Sequence, residues 1–315
     1  METKDDPKAI ALAVVEEIRR QIKQKNRKLT FMLVGRTGVG KSSTINSLLG
    51  QEVAPVGKYR PTTMEVETYP HEHSGTNYVV VDTPGLCDDL PEAGNDARYI
   101  AKIKSQIEQV DTLWYVTGLD DTRLSGDEKR GIKLVSDALS GDVWKRAVIV
   151  FTRADKVDAE DYQEALAERT AIVREEIAKY APDFADDIPA VAVSNVDSVL
   201  PNGKEWLGEL FTVVFTRFSE AGAVPFIVSL KKDLSPETSA GATEAGAEKK
   251  SKPRITLDEN QKERVRNALI EKVVGGAATG AGLGIKYGSK FGPVGTAIGA
   301  VAGGIVGGAI GWLFK

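Results

Sequence analysis

A glycine-rich string, GRTGVGKS at residues 35–42, lies between the apolar run TFMLV and the helical run SSTINSLLG. Glycines allow the backbone to fold around a phosphate group, so that N–H groups and the start of the following helix face its negative charge. Four fixed positions of this kind arise by chance in a chain this long only on the order of a few times in a hundred. The string therefore predicts a phosphate-binding loop at a strand–helix junction.

A lysine and a hydroxyl residue have separate roles in such a loop. Lys41 is predicted to contact the β- and γ-phosphates of a nucleotide, and Ser42 to offer its hydroxyl to Mg²⁺. The remaining phosphate contacts are predicted at Gly35, Arg36, Thr37, Gly38, Val39, Gly40 and Ser43.

Short β-rich runs alternate with longer helical ones from Leu29 onward. The β-rich runs are LTFMLVG, MEVETYP, TNYVVVD, DTLWYVT, RAVIVFT and PAVAVS, and the helical stretches lie near residues 42–49, 96–110, 127–139, 158–180 and 204–218. This alternation predicts an α/β fold of the three-layer P-loop NTPase kind, in which helices cover both faces of a mostly parallel sheet. Only HEHSG joins the second and third runs, a hairpin length that predicts one antiparallel strand.

Two later strand ends carry side chains that suit a guanine nucleotide with Mg²⁺. VVVDTPG ends its strand with Asp82, placed to hold Mg²⁺ through water, and with Gly85, whose N–H can contact a γ-phosphate. Taken alone, Asp82 could be an ordinary strand-end cap. VIVFTRAD ends a later strand with Thr152, Arg153 and Asp155. The carboxylate of Asp155 can accept two hydrogen bonds from guanine, and adenine offers no such pair of donors, so the sequence predicts GTP rather than ATP.

Two weaker signals complete the predicted site. AVAVSN ends the last strand at Ser194 and Asn195, which are placed to cover the edge of the base, although this pair is also common in turns. In RPTTMEVE, Thr62 or Thr63 is predicted to coordinate Mg²⁺ and close over the γ-phosphate, with Thr63 favoured. The alternative for that segment is a mobile Pro–Thr loop, which a nucleotide switch would also have until nucleotide orders it.

The strings GVGKSSTINSLLG, PTT, DTPGL and FTRAD together resemble a GTPase superclass over roughly residues 29–220. This superclass includes Era-like GTPases, septins and the immunity-associated and chloroplast-import-receptor GTPases, and the TRAD form is most similar to the immunity-associated branch. The resemblance implies a small-GTPase-like fold, GTP hydrolysis with Mg²⁺ in which Lys41, Thr63 and Gly85 take part, nucleotide-dependent switch loops, and dimerisation across the nucleotide face.

One residue departs from many switch GTPases. Leu86 follows DTPG, where a glutamine that orients the attacking water is common, and leucine cannot do this. The resemblance then implies slow hydrolysis unless another group or a second subunit completes the site. Arg36, Thr37 and Arg123 are the polar candidates nearby, although a surface ion pair with Asp121 or Asp127 is the favoured role for Arg123.

The predicted GTP-binding domain, residues 29–222, has extensions on both sides. Residues 1–28 predict an amphipathic helix, because apolar residues recur four apart from Ile10 to Ile22. Residues 223–255, which include a stretch rich in Ala, Gly, Ser, Glu and Lys, predict a flexible linker. Residues 256–315 predict another helix, with a capping box formed by Thr256 and Glu259, followed by a glycine-rich tail.

Glycines recur every four residues in that tail, and residues 291–314 form a 24-residue stretch without charge. The stretch is long enough to span a bilayer, and small residues at this spacing allow close helix packing. Its eight glycines make it only weakly hydrophobic, so packing against protein is the alternative to the favoured membrane association. The basic cluster Lys249, Lys250, Lys252 and Arg254 suits either an anionic surface or linker solubility.

Composition narrows the remaining classes. The net charge is −4 with acids and bases mixed, so a DNA partner is not expected. A single cysteine, Cys87, and two histidines permit no disulfide and no cysteine-based metal site, and the first residues lack a signal-peptide pattern, so we expect a cytoplasmic protein. The alternatives to a hydrolytic switch are a structural protein that nucleotide only regulates and an ATP-dependent P-loop kinase, in which DTPG and TRAD would have no role.

Overall fold

The computed structural model describes residues 27–56, 67–83, 100–101, 103–105, 109–230, 234 and 255–280. In chain order the strands and helices are β1 (Lys28–Val34), α1 (Lys41–Leu49), β2 (Glu67–His73), β3 (Thr76–Asp82), β4 (Thr112–Gly118), α2 (Gly126–Leu139), β5 (Ala147–Thr152), α3 (Tyr162–Ala178), α4 (Pro182–Ala185), β6 (Ala190–Ala192), α5 (Trp206–Arg217), α6 (Glu220–Ser229) and α7 (Glu259–Gly280). Two short 3₁₀ turns, Gly141–Arg146 and Ala154–Lys156, flank β5.

The strands form one six-stranded sheet in the order β2-β3-β1-β4-β5-β6. All neighbours pair in parallel except β2 and β3, which are antiparallel, so the predicted α/β class and the single antiparallel strand are confirmed. The hairpin is tighter than expected. The residues His71–His73 belong to β2, and only Ser74 and Gly75, both with positive φ, make the turn.

The centre of the sheet is fully enclosed. Every residue of β4 and β5 is buried, which is the pattern of parallel strands covered on both faces. β-Branched and aromatic residues fill these strands, because they pack well on a pleated surface that is buried from both sides.

The domain continues beyond residue 222, where the sequence predicted that a linker begins. Residues 220–229 form α6, whose N-cap Ser219 accepts a hydrogen bond from the Gly222 N–H, and Leu230 is buried. The predicted boundary was wrong because Gly222 and Pro225 weaken the helical pattern in sequence. Tertiary packing overrides them, since the Phe226 ring stacks on Phe218 with centroids 4.5 Å apart.

The helix α7 also packs on this domain. Its capping box is formed by Asp258 and Gln261, each accepting the other's backbone N–H through a side-chain oxygen (2.8 and 3.0 Å), so the predicted box at Thr256 and Glu259 was wrong. The helix buries Val265, Ala268 and Leu269, which share one helical face. The first part of the predicted C-terminal unit is therefore packed onto the nucleotide domain.

Several predictions lie outside the described residues. They concern the amphipathic helix within residues 1–26, the linker residues 235–254, and the glycine-rich tail beyond residue 280. No helix in the described part of the chain combines the length and the apolar character needed to cross a membrane.

Candidate nucleotide-binding site

The predicted site residues meet at the carboxyl edge of the sheet. In the parallel register Leu33 of β1 lies beside Asp82 of β3, and Gly118 of β4 lies beside Thr152 of β5. Loops that follow these strands therefore meet at one edge, as ligand sites in open α/β sheets do.

The glycines at the two ends of the loop are required by its close contacts. Gly35 and Gly40 have φ values of +156° and +105°. A Cβ atom on Gly35 would lie 2.1 Å from the carbonyl oxygen of Val116, and one on Gly40 would lie 2.8 Å from Nδ2 of Asn195. A larger residue at either place would push the loop away from β4 or from the end of β6, so these two glycines hold the loop against the sheet edge.

Lys41 points back into the loop. Its ammonium group is buried and donates to the carbonyls of Gly35 (2.8 Å) and Arg36 (3.2 Å), and it lies 3.5 Å from Oδ1 of Asp82. Burial raises the pKa of the Asp82 carboxyl above its ordinary value, and the positive charge of Lys41 opposes this rise. The buried ammonium of Lys41 and the half-buried carboxylate of Asp82, at the end of β3, therefore lie side by side.

The surroundings of Asp82 fit a hard cation. Its buried Oδ1 accepts no hydrogen bond from the described residues, and the Lys41 ammonium lies 3.5 Å away, so the carboxylate keeps lone pairs that a second cation could use. The Ser42 hydroxyl follows Lys41 at the start of α1, so a carboxylate and a hydroxyl are available together. No group of three or more His, Cys, Asp or Glu side chains in the described ranges could hold a metal alone. The donor set suits Mg²⁺, which is usually held by one or two carboxylates with phosphate and water.

Thr152 and Asn195 support the loop. The buried Thr152 hydroxyl donates to the Val39 carbonyl (2.7 Å) and lies 3.3 Å from the Thr117 carbonyl, which joins β5 to the loop. Asn195 Nδ2 donates to the Thr44 hydroxyl (3.1 Å) at the start of α1. Asn195 was predicted to cover the base edge together with Ser194, but the structure separates the two: the amide of Asn195 faces the phosphate loop.

Ser194 and Asp155 meet as expected from adjacent strand ends. The Ser194 hydroxyl donates to Oδ1 of the exposed Asp155 (2.8 Å) and accepts from the backbone N–H groups of Val196 and Asp197. The buried hydroxyl thereby orients a carboxylate whose other oxygen, Oδ2, has no hydrogen-bond or ion-pair partner in the described part of the chain.

Arg153 adopts a left-handed backbone conformation with φ of +58°, uncommon for a residue that is not glycine. Its guanidinium group reaches across to the carbonyl of Gly38 (3.4 Å) and lies 3.8 Å from Asp120. Asp120 also lies 3.5 Å from the Lys156 ammonium. Sequence reasoning missed Asp120, although its place two residues after β4, at the same edge as the other site residues, could have indicated it.

A second missed feature lies below the end of β4. The hydroxyl of Thr117 donates to Oε1 of Glu128 (2.6 Å) and accepts from Nη2 of Arg169 (3.1 Å), and all three residues are buried. Glu128 also completes the capping box of α2 with Ser125. This network fixes the end of β4 beside the site, and no short sequence motif marks it.

The remaining predicted residues divide into two groups. Thr62, Thr63, Gly85 and Leu86 lie outside the described residues. Arg36, Thr37 and Arg123 are exposed near the loop or after β4. The ion pair expected for Arg123 was wrong, since neither Asp121 nor Asp127, both described, pairs with it.

The sheet order, the phosphate loop, the buried Lys41–Asp82 pair and the Asp155 carboxylate at the end of β5 define a P-loop GTPase domain. The model of the AIG1 family matches residues 29–181 of this chain.

Curated relatives include chloroplast translocase components. The chain is 29% identical over 217 residues to Translocase of chloroplast 34 of Pisum sativum, covering 63% of this chain and 69% of that protein. It is 27% identical over 226 residues to Translocase of chloroplast 101 of Physcomitrium patens, covering 66% of this chain. The matched part spans only 25% of that second, longer protein.

Solved structures show the same fold. Toc33 from Arabidopsis thaliana in complex with GDP and Mg²⁺ superposes with a TM-score of 0.50 at 23% identity, covering 69% of this chain and 91% of the other. A second structure has a TM-score of 0.50 at 23% identity and covers 65% of this chain and 89% of the other. It concerns the chloroplast translocon components Toc33 and Toc159, for which dimerisation is important for GTPase activity.

Proposed function

We propose that this chain binds GTP and GDP with Mg²⁺, hydrolyses GTP slowly to GDP, and acts as a nucleotide-dependent switch. The observation that carries the proposal is the exposed carboxylate of Asp155, oriented by Ser194 and lying at the same sheet edge as the Lys41 loop. A phosphate loop alone does not choose a base. A carboxylate oriented at this edge does, because it can accept from both N–H groups of guanine.

The phosphates are held by the loop. Backbone N–H groups from Gly35 to Ser43 face them, and the Lys41 ammonium exchanges its contacts with two loop carbonyls for contacts with phosphate oxygens. Ser42, Asp82 and Thr63 hold Mg²⁺, which neutralises charge on the phosphates when bound. The Toc33 complex with GDP and Mg²⁺ supports this ligand set.

The base is bound at the other end of the same edge. Asp155 selects guanine, and Arg153 lies between this carboxylate and the loop. Thr152 and Asn195 act as positioning residues, because their hydrogen bonds connect β5 and the end of β6 to the loop and α1.

Hydrolysis is slow in the isolated chain. Lys41, Thr63 and Gly85 stabilise the transferred phosphoryl group, but Leu86 cannot orient water, so the chain lacks one element of rapid turnover. A second copy docked on the nucleotide face completes the site. The link between dimerisation and GTPase activity stated for Toc33 and Toc159 supports this arrangement.

The glycine-rich tail tethers the domain to a membrane, on its cytoplasmic face. The uncharged stretch at residues 291–314 and the small-residue spacing support the tether. The alternative is a membrane-embedded or oligomer-forming structural protein in which nucleotide is only a regulator. The glycine repeat is the feature that supports this alternative.

Replacement of Asp155 tests the guanine assignment. Asp155→Asn exchanges one acceptor oxygen for a donor, so GTP affinity should fall about a hundredfold, since hydrogen bonds to charged groups contribute roughly 1.5–3 kcal/mol. Xanthosine triphosphate carries a carbonyl where guanine carries its amine, and the new amide donor suits it. The variant should therefore bind xanthosine triphosphate more tightly than the wild type does, as measured by calorimetry with Mg²⁺ present.

The matched control is Asp158→Asn, which removes an exposed acid three residues further along. It should leave both affinities unchanged. Equal GTP affinity and selectivity in wild type and Asp155→Asn would refute the guanine assignment.

A further inference from the structure

Four cations gather at the amino edge of the sheet, opposite the phosphate loop. We call them the basal cation cluster: Arg146, Arg174, Arg217 and Lys272. Arg146 precedes β5, Arg174 and Arg217 lie near the ends of α3 and α5, and Lys272 belongs to α7. Arg146, Arg174 and Arg217 donate to backbone carbonyls two residues before a strand, namely those of Val110 (3.0 Å), Ile188 (2.6 Å) and Lys145 (3.5 Å). Lys272 donates to the carbonyl of Phe218 (2.7 Å) at the end of α5.

None of these four side chains forms an ion pair within the described ranges. Carbonyls satisfy part of their hydrogen-bonding capacity and none of their charge. The cations also repel one another. Burial is the main cause of the lowered pKa of Lys272, and Arg217 and Arg146 lower it further, while Glu271 and Glu220 oppose them. Burial is also the main cause of the lowered pKa of Arg217. The charge of Asp187 opposes this effect, and the charge of Arg174 lowers the pKa further.

The position of the cluster relates it to the tail. The seven residues of β1 separate the sheet edges by about 23 Å, so the cluster faces away from the nucleotide site. The helix α7 runs toward this same edge, because Lys272 bonds to the carbonyl of Phe218, which adjoins the Ser219 contact with Asp111 at the start of β4. Gly280, the last residue of α7, follows Lys272 by eight residues, or about 12 Å of helix. The chain therefore leads into residue 281 from the edge that carries the cations.

We propose that the basal cation cluster lies against the anionic headgroups of a phospholipid bilayer. The amino edge of the sheet then contacts the membrane, and the nucleotide site faces away from it. Lipid phosphates supply the ion-pair contacts that the nearby acids Asp187, Glu220 and Glu271 do not make, and guanidinium groups suit them because they bind phosphate in a bidentate manner. The inference rests on the proposed tether, since the tail enters from the same edge. It adds a preference for anionic lipid that the uncharged stretch at residues 291–314 cannot supply.

Vesicle flotation of the full chain tests this surface. Vesicles of phosphatidylcholine alone are compared with vesicles that contain about one third phosphatidylserine, at low salt. The wild type should bind the anionic vesicles more tightly. Neutralising the cluster, with all four residues changed to Gln, should reduce that preference by roughly six hundredfold, because each of the four cations near an anionic surface contributes about fivefold. Binding to the neutral vesicles should not change.

The linker offers a matched control with the same change in charge. The variant Lys249→Gln, Lys250→Gln, Lys252→Gln and Arg254→Gln removes four positive charges from the sequence before α7, and it should keep most of the preference. If the four cluster changes unfold the domain, the double variant Arg146→Gln with Arg217→Gln gives the same comparison. Its charge-keeping counterpart, Arg146→Lys with Arg217→Lys, should keep most of the preference, because it retains the charge and loses only the bidentate contacts.

The outcomes separate the inference from the tether. Equal binding to both kinds of vesicle, or loss of the preference in the linker variant alone, overturns the cation surface and leaves the tether intact. Absence of binding to either kind overturns both. Inorganic phosphate is also added as a competitor. If it binds the protein as tightly as the anionic vesicles do, the cluster is a small-anion site and the membrane inference is overturned.

Discussion

Gly208, in the first turn of α5, sets how closely the segment before α7 approaches the domain. A Cβ atom at this position would lie 2.2 Å from the carbonyl oxygen of Thr256 and 3.0 Å from Oε1 of Gln261. Ordinary contact begins at 3.4 Å, so Gly208→Ala forces the Thr256 carbonyl to retreat by about 1.2 Å (3.4 minus 2.2). The adjoining Ile255 and Leu257 are buried and would move with it.

The expected size of the effect follows from two opposing contributions. Alanine is a better helix former than glycine by about 1 kcal/mol, whereas overpacking costs roughly 1–3 kcal/mol. Full undocking would also expose the apolar side chains of Val265 and Leu269, at roughly 1.5–3 kcal/mol each. We therefore expect a net loss of up to about 2 kcal/mol in unfolding free energy, because partial retreat of the segment is cheaper than full undocking.

Hydrogen–deuterium exchange resolves where that loss falls. In Gly208→Ala, amides of α7 should exchange faster while those of β4 and β5 keep their protection, and the thermal unfolding midpoint should fall. Gly126→Ala is the matched control, because it also places alanine in the first turn of a helix but meets nothing within 4 Å. Unchanged exchange in α7 of Gly208→Ala would refute the close packing of this segment on α5.

Two further predictions concern the nucleotide site. Burial raises the pKa of Asp82, so the folded chain binds this proton more tightly than the unfolded chain, and its contribution to stability is lost as pH rises above the ordinary carboxyl value. The test compares the unfolding free energies of Asp82→Asn and of the wild type without nucleotide. The variant should gain stability relative to the wild type between about pH 4 and pH 7. A difference in unfolding free energy that does not change with pH would contradict this. GTP turnover per molecule should rise with protein concentration as a second copy completes the site, with Lys41→Ala as the measure of contaminating activity. Turnover that stays at this background at every concentration, with and without vesicles, would favour the structural protein.

Sequence reasoning succeeded where local pattern and chemistry agree. The strand runs and the order of motifs predicted the α/β class, and Asp155 and Ser194 met because parallel strands end at one edge. It failed where packing between distant segments decides. The helix α6 forms despite Pro225 because its aromatic residues pack into the core, and the amide of Asn195 faces the loop because Thr44 lies beneath it. Neither contact has a spacing that a single sequence can display.

The base site and the docked helix α7 are joined by a continuous set of contacts. The Ser194 hydroxyl donates to Asp155 and accepts from the Asp197 N–H (3.0 Å), and the Asp197 carbonyl accepts from Nε1 of Trp206 (2.8 Å), the first residue of α5. One turn further along, Glu209 accepts from Gln261 (3.1 Å) and Arg264 (2.7 Å) of α7.

These contacts couple the base site to α7 only if one element between them can adopt two arrangements, and if both sites change the balance between the two. The loop between β6 and α5 is the element placed to do so, because it is the one segment in this path that is neither strand nor helix. In the proposed function, guanine at Asp155 would act on one end of this loop, while the contacts of α7 with Glu209 hold α5 at the other end. A rearrangement of the loop on nucleotide binding would then reach α7, the helix that precedes the proposed tether.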